Sequence, residues 1–203
     1  MKLPVNIDDI KGFLDPEEGE ALYSNCISLD GLGPCLEVGS YCGKSTVYLG
    51  EACRQTETTL FAVDHHRGSE EHQLGEEYHD VDLFDADIEL MDSFKVFRTT
   101  MRKAELEDTV VPIVASSEVA ARKWATPLAF VFIDGGHSLE AAMSDYRSWV
   151  SHLVPGGILA IHDVFPDPND GGRAPYTIYE LARASGLFED LPMVKTLGLL
   201  KRL

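Results

Sequence analysis

The sequence predicts an α/β fold, in which a mostly parallel sheet carries helices on both faces and ends in an antiparallel hairpin. Two observations predict this fold. Short apolar runs alternate with segments of helical periodicity along most of the chain, which is typical of βαβ units. The last two apolar runs, LPMVKT and LGLLKRL, adjoin each other, and they must pair antiparallel because a parallel crossover needs about a dozen residues or more.

The individual elements follow from the same patterns. Strands are predicted over 34–39, 59–64, 109–115, 128–134 and 157–163, the last three as buried strands rich in Val, Ile and Phe. Helices are predicted over 44–53 and near 175–186. Apolar spacing predicts two more helices. The first contains Ile88, Met91, Phe94, Phe97 and Met101. The second is capped by Ser138, and its apolar face contains Leu139, Ala142, Met143, Tyr146, Trp149 and Leu153.

Composition and charge limit the possible functions. At 203 residues, with 44% hydrophobic and 25% charged residues, the chain is predicted to form one domain (1–203) with an N-terminal helical segment in 1–30. The net charge of −17 would repel nucleic acid and anionic lipid, which argues against both as partners. The chain shows no long apolar run and no signal-peptide core, so we expect a cytoplasmic location. Its four cysteines form no CxxC pair and are predicted to be reduced thiols.

Residues 65–85 have neither strand nor helix periodicity. A loop of this length in a compact domain is usually a lid or a binding element, so we predict a mobile, lid-like loop over the ligand site. The segment contains His65, His66, His72 and His79, and their irregular spacing is not a recognised zinc-ligand pattern.

A glycine turn, GSYCGKST (39–46), joins the first predicted strand to the first predicted helix. Three ligands compete for such a unit: a nucleoside triphosphate, a dinucleotide and S-adenosylmethionine. A P-loop requires four residues between its glycines and only three intervene here, although AFVFID, ending at Asp134, is similar to the magnesium-binding strand of that motif. A dinucleotide site requires G-x-G-x-x-G, which the turn does not supply.

S-adenosylmethionine accounts for more of the residues. Glu37 ends the first strand, where a carboxylate can accept from the ammonium group of a methionine moiety. Gly39 and Gly43 allow the backbone to approach a ligand closely, because glycine has no Cβ. Asp64 ends the second strand, about 20 residues past Gly43, where a carboxylate would meet ribose hydroxyls. In open α/β sheets such strand ends line one crevice.

With these residues the chain resembles the class I S-adenosylmethionine-dependent methyltransferases. The resemblance runs from about residue 30 to the C-terminus, through LEVGSYCGKST, FAVD, VASSE, FIDGGHSLEAAMSDYRSW and VPGGILAIHD. More narrowly, the chain is similar to the small bacterial O-methyltransferases of the macrocin, cephalosporin and sugar kind. The resemblance implies a Rossmann-like, doubly wound sheet of seven strands. It also implies methylation of a hydroxyl on a small polar molecule, and a homodimer.

The resemblance also implies cofactor contacts at matching positions. The cofactor turn would comprise Glu37, Gly39, Ser40, Tyr41, Gly43 and Ser45. The ribose would contact Asp64 and His65, and the adenine would contact Ser116 and Ser117. Asp134 would also face the cofactor. The chain departs from many relatives at Ser40-Tyr41, where they have a second glycine.

Asp134, His162 and Asp163 match the positions at which the metal-dependent relatives hold a divalent ion, Mg²⁺ or Mn²⁺. His162 replaces the usual acid, which shifts the preference from Mg²⁺ toward Mn²⁺, Fe²⁺ or Co²⁺. His137 lies where catechol O-methyltransferases have a basic lysine, and its ordinary pKa of about 6.5 suits a general base. Asp134 and His137 are therefore the candidate catalytic residues.

Three hypotheses remain open at this point. The first is a metal-assisted O-methyltransferase acting on a hydroxylated small molecule such as a sugar or polyketide. The second is a P-loop-like nucleotide phosphohydrolase that uses GKST and Asp134. The third is a protein that binds the cofactor without catalysis.

Overall fold

A seven-stranded sheet forms the centre of the protein. The computed structural model describes residues 1–68, 80–87 and 89–203. The strands are β1 (Cys35–Val38), β2 (Leu60–Asp64), β5 (Val110–Val114), β6 (Leu128–Ile133), β7 (Leu153–Ile161), β8 (Phe188–Asp190) and β9 (Gly198–Arg202), and their spatial order is β5-β2-β1-β6-β7-β9-β8. All neighbours pair in parallel except β7 with β9 and β9 with β8, which pair antiparallel. The predicted sheet and its antiparallel end are confirmed.

Helices cover both faces of this sheet, as predicted. They are α1 (Pro16–Ile27), α2 (Lys44–Gln55), α3 (Phe94–Lys103), α4 (Ser117–Ala121), α5 (Leu139–Trp149) and α6 (Ala174–Ala184). Leu22 of α1, Leu49 of α2 and Phe97 of α3 belong to one apolar cluster, whereas Trp149 of α5 and Ile178 of α6 belong to a second cluster. None of the helices in the described part of the chain is long and apolar enough to cross a bilayer.

Burial separates the centre of the sheet from its edge. Every residue of β1 and β6 is buried, as expected for strands covered on both faces. The prediction that 109–115 is also a buried strand was wrong. This segment forms β5 at the sheet edge, where Val111 and Val114 are 44% and 54% exposed. An apolar run alone does not distinguish an edge strand from a central one.

The C-terminal hairpin is longer than predicted. Its first strand, β8, precedes the LPMVKT segment, and residues 191–197 connect it to β9. The proposed strand over 191–196 was therefore wrong, although an isolated bridge joins Val194 to Leu197. The apolar residues of LPMVKT suggested a strand, but β9 pairs instead with Phe188–Asp190.

Two predicted helices are shorter than their apolar spacing suggested. α3 begins at Phe94, and Met91 belongs to β4 (Leu90–Met91), which pairs with β3 (Phe84–Asp85) in a separate small sheet. Ile88 lies outside the described residues. α5 ends at Trp149, and Leu153 begins β7, while Leu139 is 55% exposed. The Ser138 cap is confirmed, because its side chain accepts from the backbone N–H of Ala141.

The N-terminal helix α1 is fixed at its start by a capping box, in which Asp15 caps the helix and Glu18 bonds back to it. α1 packs closely on α2, because a Cβ at Gly19 would lie 2.4 Å from the Tyr48 ring. This packing brings the first turn of α1 to the carboxyl ends of the sheet strands, where Glu18 becomes important.

Candidate functional site

A cleft of about 930 Å³ lies at the carboxyl ends of β1, β2, β6 and β7. This is the position at which open α/β sheets bind ligands, and the volume suits a small-molecule site. The structure brings twelve of the fourteen predicted site residues to its wall: Gly39, Ser40, Tyr41, Ser45, Asp64, His65, Ser116, Ser117, Asp134, His137, His162 and Asp163. Glu37 and Gly43 are not among the residues that line it.

Gly39 allows the close approach of two strand ends. Its φ is +88°, and a Cβ there would lie 1.9 Å from the carbonyl oxygen of Asp134. The sequence predicted that Gly39 admits a ligand, but the first atom that a side chain would meet is protein backbone. The contact holds the end of β1 against the end of β6.

Tyr41 replaces the second glycine of many relatives and adopts the conformation that a glycine would provide. Its φ is +46°, a region that non-glycine residues rarely adopt. Its backbone N–H donates to Oδ2 of Asp64 at 2.8 Å, and the N–H of His66 donates to Oδ1 at 2.7 Å. Asp64 therefore joins the glycine turn to the segment after β2 and still lines the cleft.

Gly43 lies beneath the turn rather than in the cleft. It has a φ of +95° and caps α2. A Cβ there would lie 3.0 Å from Cε of Met101 and 3.3 Å from Cγ2 of Thr100. Gly43 therefore allows α3 to pack under the turn, which differs from the predicted ligand contact.

Glu37 is completely buried, and its structural position differs from the one that the sequence predicted. Its two carboxylate oxygens accept from the hydroxyls of Ser45 and Thr46, both at 2.6 Å. Burial raises the pKa of Glu37 to about 7, against the opposing effect of these hydrogen bonds. Both oxygens are thus used to hold the first turn of α2, and neither is exposed to the cleft.

The histidines after β2 have different environments. His65 is exposed and lines the cleft. His66 is buried beside Phe94 and Phe97, and its Nδ1 lies 2.8 Å from Oγ of Ser93. Burial lowers the pKa of His66, which is typical of a neutral core histidine. His72 and His79 lie outside the described residues.

The predicted adenine end of the cleft contains a carboxylate that the motifs did not identify. Asp145 of α5 is 8% exposed and lines the cleft with Ser116 and Ser117. Burial raises the pKa of Asp145 to about 6, although a hydrogen bond from Ser117 acts in the opposite direction. A Cβ at Gly135 would lie 2.3 Å from Oδ2 of Asp145. Gly135 therefore makes room for this carboxylate.

A buried charge cluster lies where β6, β7 and α1 meet. Nδ1 of His162 lies 3.0 Å from Oδ1 of Asp134, and Nε2 lies 2.9 Å from Oε2 of Glu18. Burial acts to lower the pKa of His162, but the charge of Asp134 and hydrogen bonds to Asp134 and Glu18 prevail and raise it to about 11. Burial also acts to raise the pKa of Glu18, but hydrogen bonds from His162 and Thr196 prevail and lower it to about 2. The imidazole of His162 is therefore held between two carboxylates.

A second histidine–carboxylate pair opens onto the cleft beside this cluster. Nε2 of His137 lies 3.2 Å from Oδ2 of Asp163, and both side chains line the cleft. Asp163 has a φ of +55°, which directs the chain away from β7 immediately after His162. Burial acts to raise the pKa of Asp163, but the hydrogen bond from His137 and the charge of His162 lower it overall.

The three predicted metal ligands lie together. Ligand atoms from Asp134, His162 and Asp163 are all within 4.8 Å of one another, which matches the spacing of a metal site. Nε2 of His162 faces Glu18, and a metal-binding histidine commonly donates its other ring N–H to a carboxylate in this way. These residues would hold a divalent ion that polarises the acceptor hydroxyl, and the metal stays a prediction.

The structure gives no support to the P-loop hypothesis. A P-loop binds phosphate with backbone N–H groups and a lysine. Here the Tyr41 N–H already donates to Asp64, and Nζ of Lys44 donates to the carbonyl of Gly12 at 3.3 Å. The cleft wall is also acidic and would repel a triphosphate, since it includes Asp64, Glu118, Asp134, Asp145, Asp163 and Asp170 against Lys11 and Lys44.

Comparisons with known proteins agree with this geometry. Residues 36–164 match a family model described as a methyltransferase domain. Among solved structures, the fold is similar to that of the O-methyltransferase NovP, at 16% identity and a TM-score of 0.69, covering 92% of this chain and 79% of that one. It is also similar to the O-methyltransferase TomG from Streptomyces achromogenes in complex with SAM, at 12% identity and a TM-score of 0.64, covering 94% and 81% of the two chains. The fold is similar as well to that of an O-methyltransferase from Bacillus cereus in complex with SAH, at 16% identity and a TM-score of 0.62, covering 94% of this chain and 83% of that one.

Because the family model spans more than half of the chain, the chain belongs to this methyltransferase family. The predicted class, an S-adenosylmethionine-dependent methyltransferase with the class I fold, is confirmed.

Two charged residues of the site escaped the motif analysis. Glu18 lies 144 residues from its partner His162, and only the D-x-x-E spacing of a capping box marked it as a helix-start residue. Asp145 was hidden in a helix whose apolar face was assigned to the core. An acid on that face, one residue before the buried Tyr146, was the available signal.

Proposed function

We propose that this enzyme methylates a hydroxyl on a small polar molecule of the sugar or natural-product kind, with His137 as the general base. The observation that carries this proposal is the His137–Asp163 pair on the wall of the same cleft as the glycine turn. S-adenosylmethionine supplies an activated methyl group, so the protein must orient the acceptor and remove its proton.

The cleft fits this cofactor. Its volume of about 930 Å³ can contain the cofactor together with an acceptor. Its excess of carboxylates favours a ligand with a sulfonium and an ammonium group, for the same reason that it disfavours a triphosphate. We assign the ribose to Asp64 and His65, the glycine turn to the methionine part, and the adenine to Ser116 and Ser117.

Asp145 extends the adenine assignment. Its carboxylate faces the cleft beside Ser117, and its pKa is influenced by His65 and Asp64 at the proposed ribose position. An ionised carboxylate accepts hydrogen bonds only, so it suits the exocyclic amino group of adenine. We assign Asp145 to that contact.

The base assignment follows from hydrogen bonding. When Nε2–H of His137 donates to Asp163, the imidazole is held in the tautomer whose Nδ1 carries the lone pair. A carboxylate behind the ring also stabilises the imidazolium that forms after proton transfer, as in other histidine-dependent enzymes. The acceptor proton then passes to His137, and Asp163 balances the resulting charge.

The acceptor is proposed to be neutral or cationic. We place it beside Phe165 and Asp170–Gly172, which follow β7 and line the cleft. Among the described residues, the lysines that line the cleft are Lys11 and Lys44, and the Arg173 guanidinium after β7 donates to the carbonyls of Phe165 and Pro166. An anionic acceptor would therefore be repelled by Asp170.

Calorimetry tests the cofactor assignment. We expect S-adenosylhomocysteine to bind, whereas ATP with Mg²⁺ should give no heat. The reverse result would contradict the proposal. A non-catalytic binding protein would bind S-adenosylhomocysteine and methylate nothing in a panel of hydroxylated sugars and phenols followed by mass spectrometry.

His137→Ala tests the base. We expect a loss of about 10²-fold or more in turnover with an acceptor found in that panel, with unchanged S-adenosylhomocysteine affinity. His152→Ala is the matched control, because His152 lies outside the cleft lining. Full activity of the His137 variant would remove the base from the proposal. The homodimer, the cytoplasmic location and the single domain over 1–203 stay predictions.

A further inference from the structure

Three cysteine sulfurs from three different elements meet in the protein core. Cys26 lies on α1, Cys35 begins β1 and Cys53 lies on α2. Sγ of Cys26 lies 3.3 Å from Sγ of Cys35 and 3.8 Å from Sγ of Cys53, and all three sulfurs are within 4.8 Å of one another. We call these residues the thiol cluster. Because Cys35 begins its strand and the cleft lies at the carboxyl ends, the thiol cluster is at the other end of β1.

Packing alone gives little reason for this convergence. The side chains of the thiol cluster are at most 2% exposed, and they belong to the same apolar cluster as Leu22 and Leu49. Thiols are weak hydrogen-bond donors and weak acceptors, so three of them gain little from contact with one another. Cys42 provides a contrast, because it is buried in a different apolar cluster with Leu83 and Met91. Three sulfurs directed at one point are the donor set of a thiophilic element.

The number and spacing of the sulfurs limit which element fits. Structural zinc takes four ligands, whereas the thiol cluster, as found among the described residues, supplies three. Three sulfurs in one plane around an ion, each bonded at about 2.3 Å, would be about 4.0 Å apart. The distances of 3.3 and 3.8 Å are shorter than this. They suit a pyramidal centre, in which a lone pair occupies the fourth direction and the bond angles are narrower.

Charge favours the same kind of centre. Cu(I) bound by two or three thiolates carries a net negative charge, which is costly to bury in an apolar core. The buried carboxyl group of Glu37, two residues after Cys35, makes further negative charge less favourable here. Trivalent arsenic bound by three thiolates is neutral and pyramidal. It therefore fits both the spacing of the thiol cluster and its apolar surroundings.

We propose that Cys26, Cys35 and Cys53 form a binding site for trivalent arsenic, which arrives as arsenous acid. Three As–S bonds form while three As–O bonds and three S–H bonds break, and three molecules of water leave. Arsenic stays trivalent, so the reaction needs no oxidant or reductant. The bound element ties α1 to β1 and to α2. The site is separate from the cleft and does not depend on the proposed function.

Binding must accompany the docking of α1, because the sulfurs are buried in the folded protein. Such coupling to folding is usual when separate elements supply the ligands. We therefore expect slow arsenite uptake by the folded protein and rapid uptake during refolding. At a hundredfold excess over its Kd, arsenite should raise the melting temperature by about 5 °C or more.

Refolding the full chain with arsenite, followed by native mass spectrometry, tests the site. The wild type should gain one arsenic and lose three hydrogens, a change that counts the sulfurs bound. Cys35→Ala should bind arsenite at least about tenfold more weakly, because two sulfurs remain. Cys42→Ala is the matched control, since it removes a buried cysteine outside the thiol cluster, and it should bind as the wild type does. Equal binding by Cys35→Ala and the wild type would overturn the inference.

X-ray absorption at arsenic in the loaded wild type decides the matter if the Cys35 variant does not fold. We expect three sulfur neighbours and no oxygen neighbour, and two sulfurs with one oxygen would refute the three-sulfur site. Refolding with Zn²⁺ or Cu(I) in place of arsenite checks the choice of element. Each ion should raise the melting temperature less than arsenite does, and a larger rise with either would contradict the assignment to arsenic.

Discussion

The glycine turn and the charge cluster lie at the ends of the neighbouring strands β1 and β6, and they are assembled from the chain in different ways. In the turn, Glu37 bonds to Ser45 and Thr46, eight and nine residues away, and Tyr41 bonds to Asp64, 23 residues away. In the cluster, Glu18 bonds to His162 and Thr196, which are 144 and 178 residues away. The turn is therefore a local structure that a motif can encode, whereas the cluster exists only when α1 is packed on α2.

The two regions also satisfy buried charge differently. Glu37 is stabilised by hydroxyls alone, and its pKa is raised to about 7, so it tends to become neutral. Glu18 has a histidine partner, and its pKa is lowered to about 2, so it stays ionised. A buried acid without a cation is thus a pH-sensitive structural element, whereas one with a cationic partner keeps its charge at neutral pH. The following predictions test this contrast.

Gly39→Ala should have the largest effect. The new Cβ would meet the carbonyl oxygen of Asp134 at 1.9 Å and occupy a left-handed backbone position, so the ends of β1 and β6 must separate. We expect a loss of about 4 kcal/mol or more in the free energy of unfolding, measured by urea denaturation. Gly172→Ala is the control, because a Cβ there meets open space, and it should change stability little. Equal effects of the two substitutions would show that β1 and β6 can move apart easily.

Glu18→Gln should cost about 3 kcal/mol of unfolding free energy at pH 7, because it leaves His162 buried with one carboxylate partner fewer. The raised pKa of His162 means that its contribution is complete below about pH 6.5 and is lost as pH rises toward 11. The lowered pKa of Glu18 means that its contribution is complete above about pH 4.5 and is lost as pH falls toward 2.

The cost of Glu18→Gln should therefore be greatest between about pH 4.5 and 6.5 and decline on both sides. Denaturation at several pH values measures this profile. Glu17→Gln on the same helix is the control, since Glu17 is 70% exposed and should contribute little. A cost that did not vary with pH would disprove the ionic pairing.

Glu37→Gln tests the other region. Because the pKa of Glu37 is raised to about 7, its folded form retains a proton that the unfolded chain releases near pH 4.5. Its contribution to stability is therefore complete below about pH 4.5 and is lost as pH rises to about 7. In the variant, the decline in unfolding free energy between pH 5 and 8 should be smaller by about 2 kcal/mol than in the wild type.

The same denaturation series on Glu20→Gln, an exposed carboxylate of α1, serves as the control and should reproduce the wild-type decline. If Glu37→Gln also reproduces it, Glu37 is ionised in the folded protein throughout this range.

Asp145→Asn should have the smallest effect. If Asp145 accepts from the adenine amino group, the variant should bind S-adenosylhomocysteine about fivefold more weakly, a loss of about 1 kcal/mol. The inosine analogue, which lacks that amino group, should bind equally to both proteins. Glu140→Gln, an exposed change at the start of the same helix, should leave both affinities unaltered. A parallel loss for the two ligands would assign Asp145 to helix packing instead.

The sequence by itself determined the order of strands and helices, the glycine turn and the positions of Asp64, Asp134, His137, His162 and Asp163, because each follows from local pattern or from motif spacing. It did not determine that β5 is an edge strand, that the hairpin begins at Phe188, or that Gly43 and Glu37 lie beneath the turn. Those features depend on which surface a segment buries.

Tertiary structure alone decided the partners of His162. A histidine after a strand can bind a metal or carry a proton, and the choice depends on the charges that surround it. Here Glu18, which is near the N-terminus, contacts His162 because α1 packs on α2. Electrostatic interactions act across space and not along the sequence, so the residue that sets this chemistry could be identified only in the folded protein.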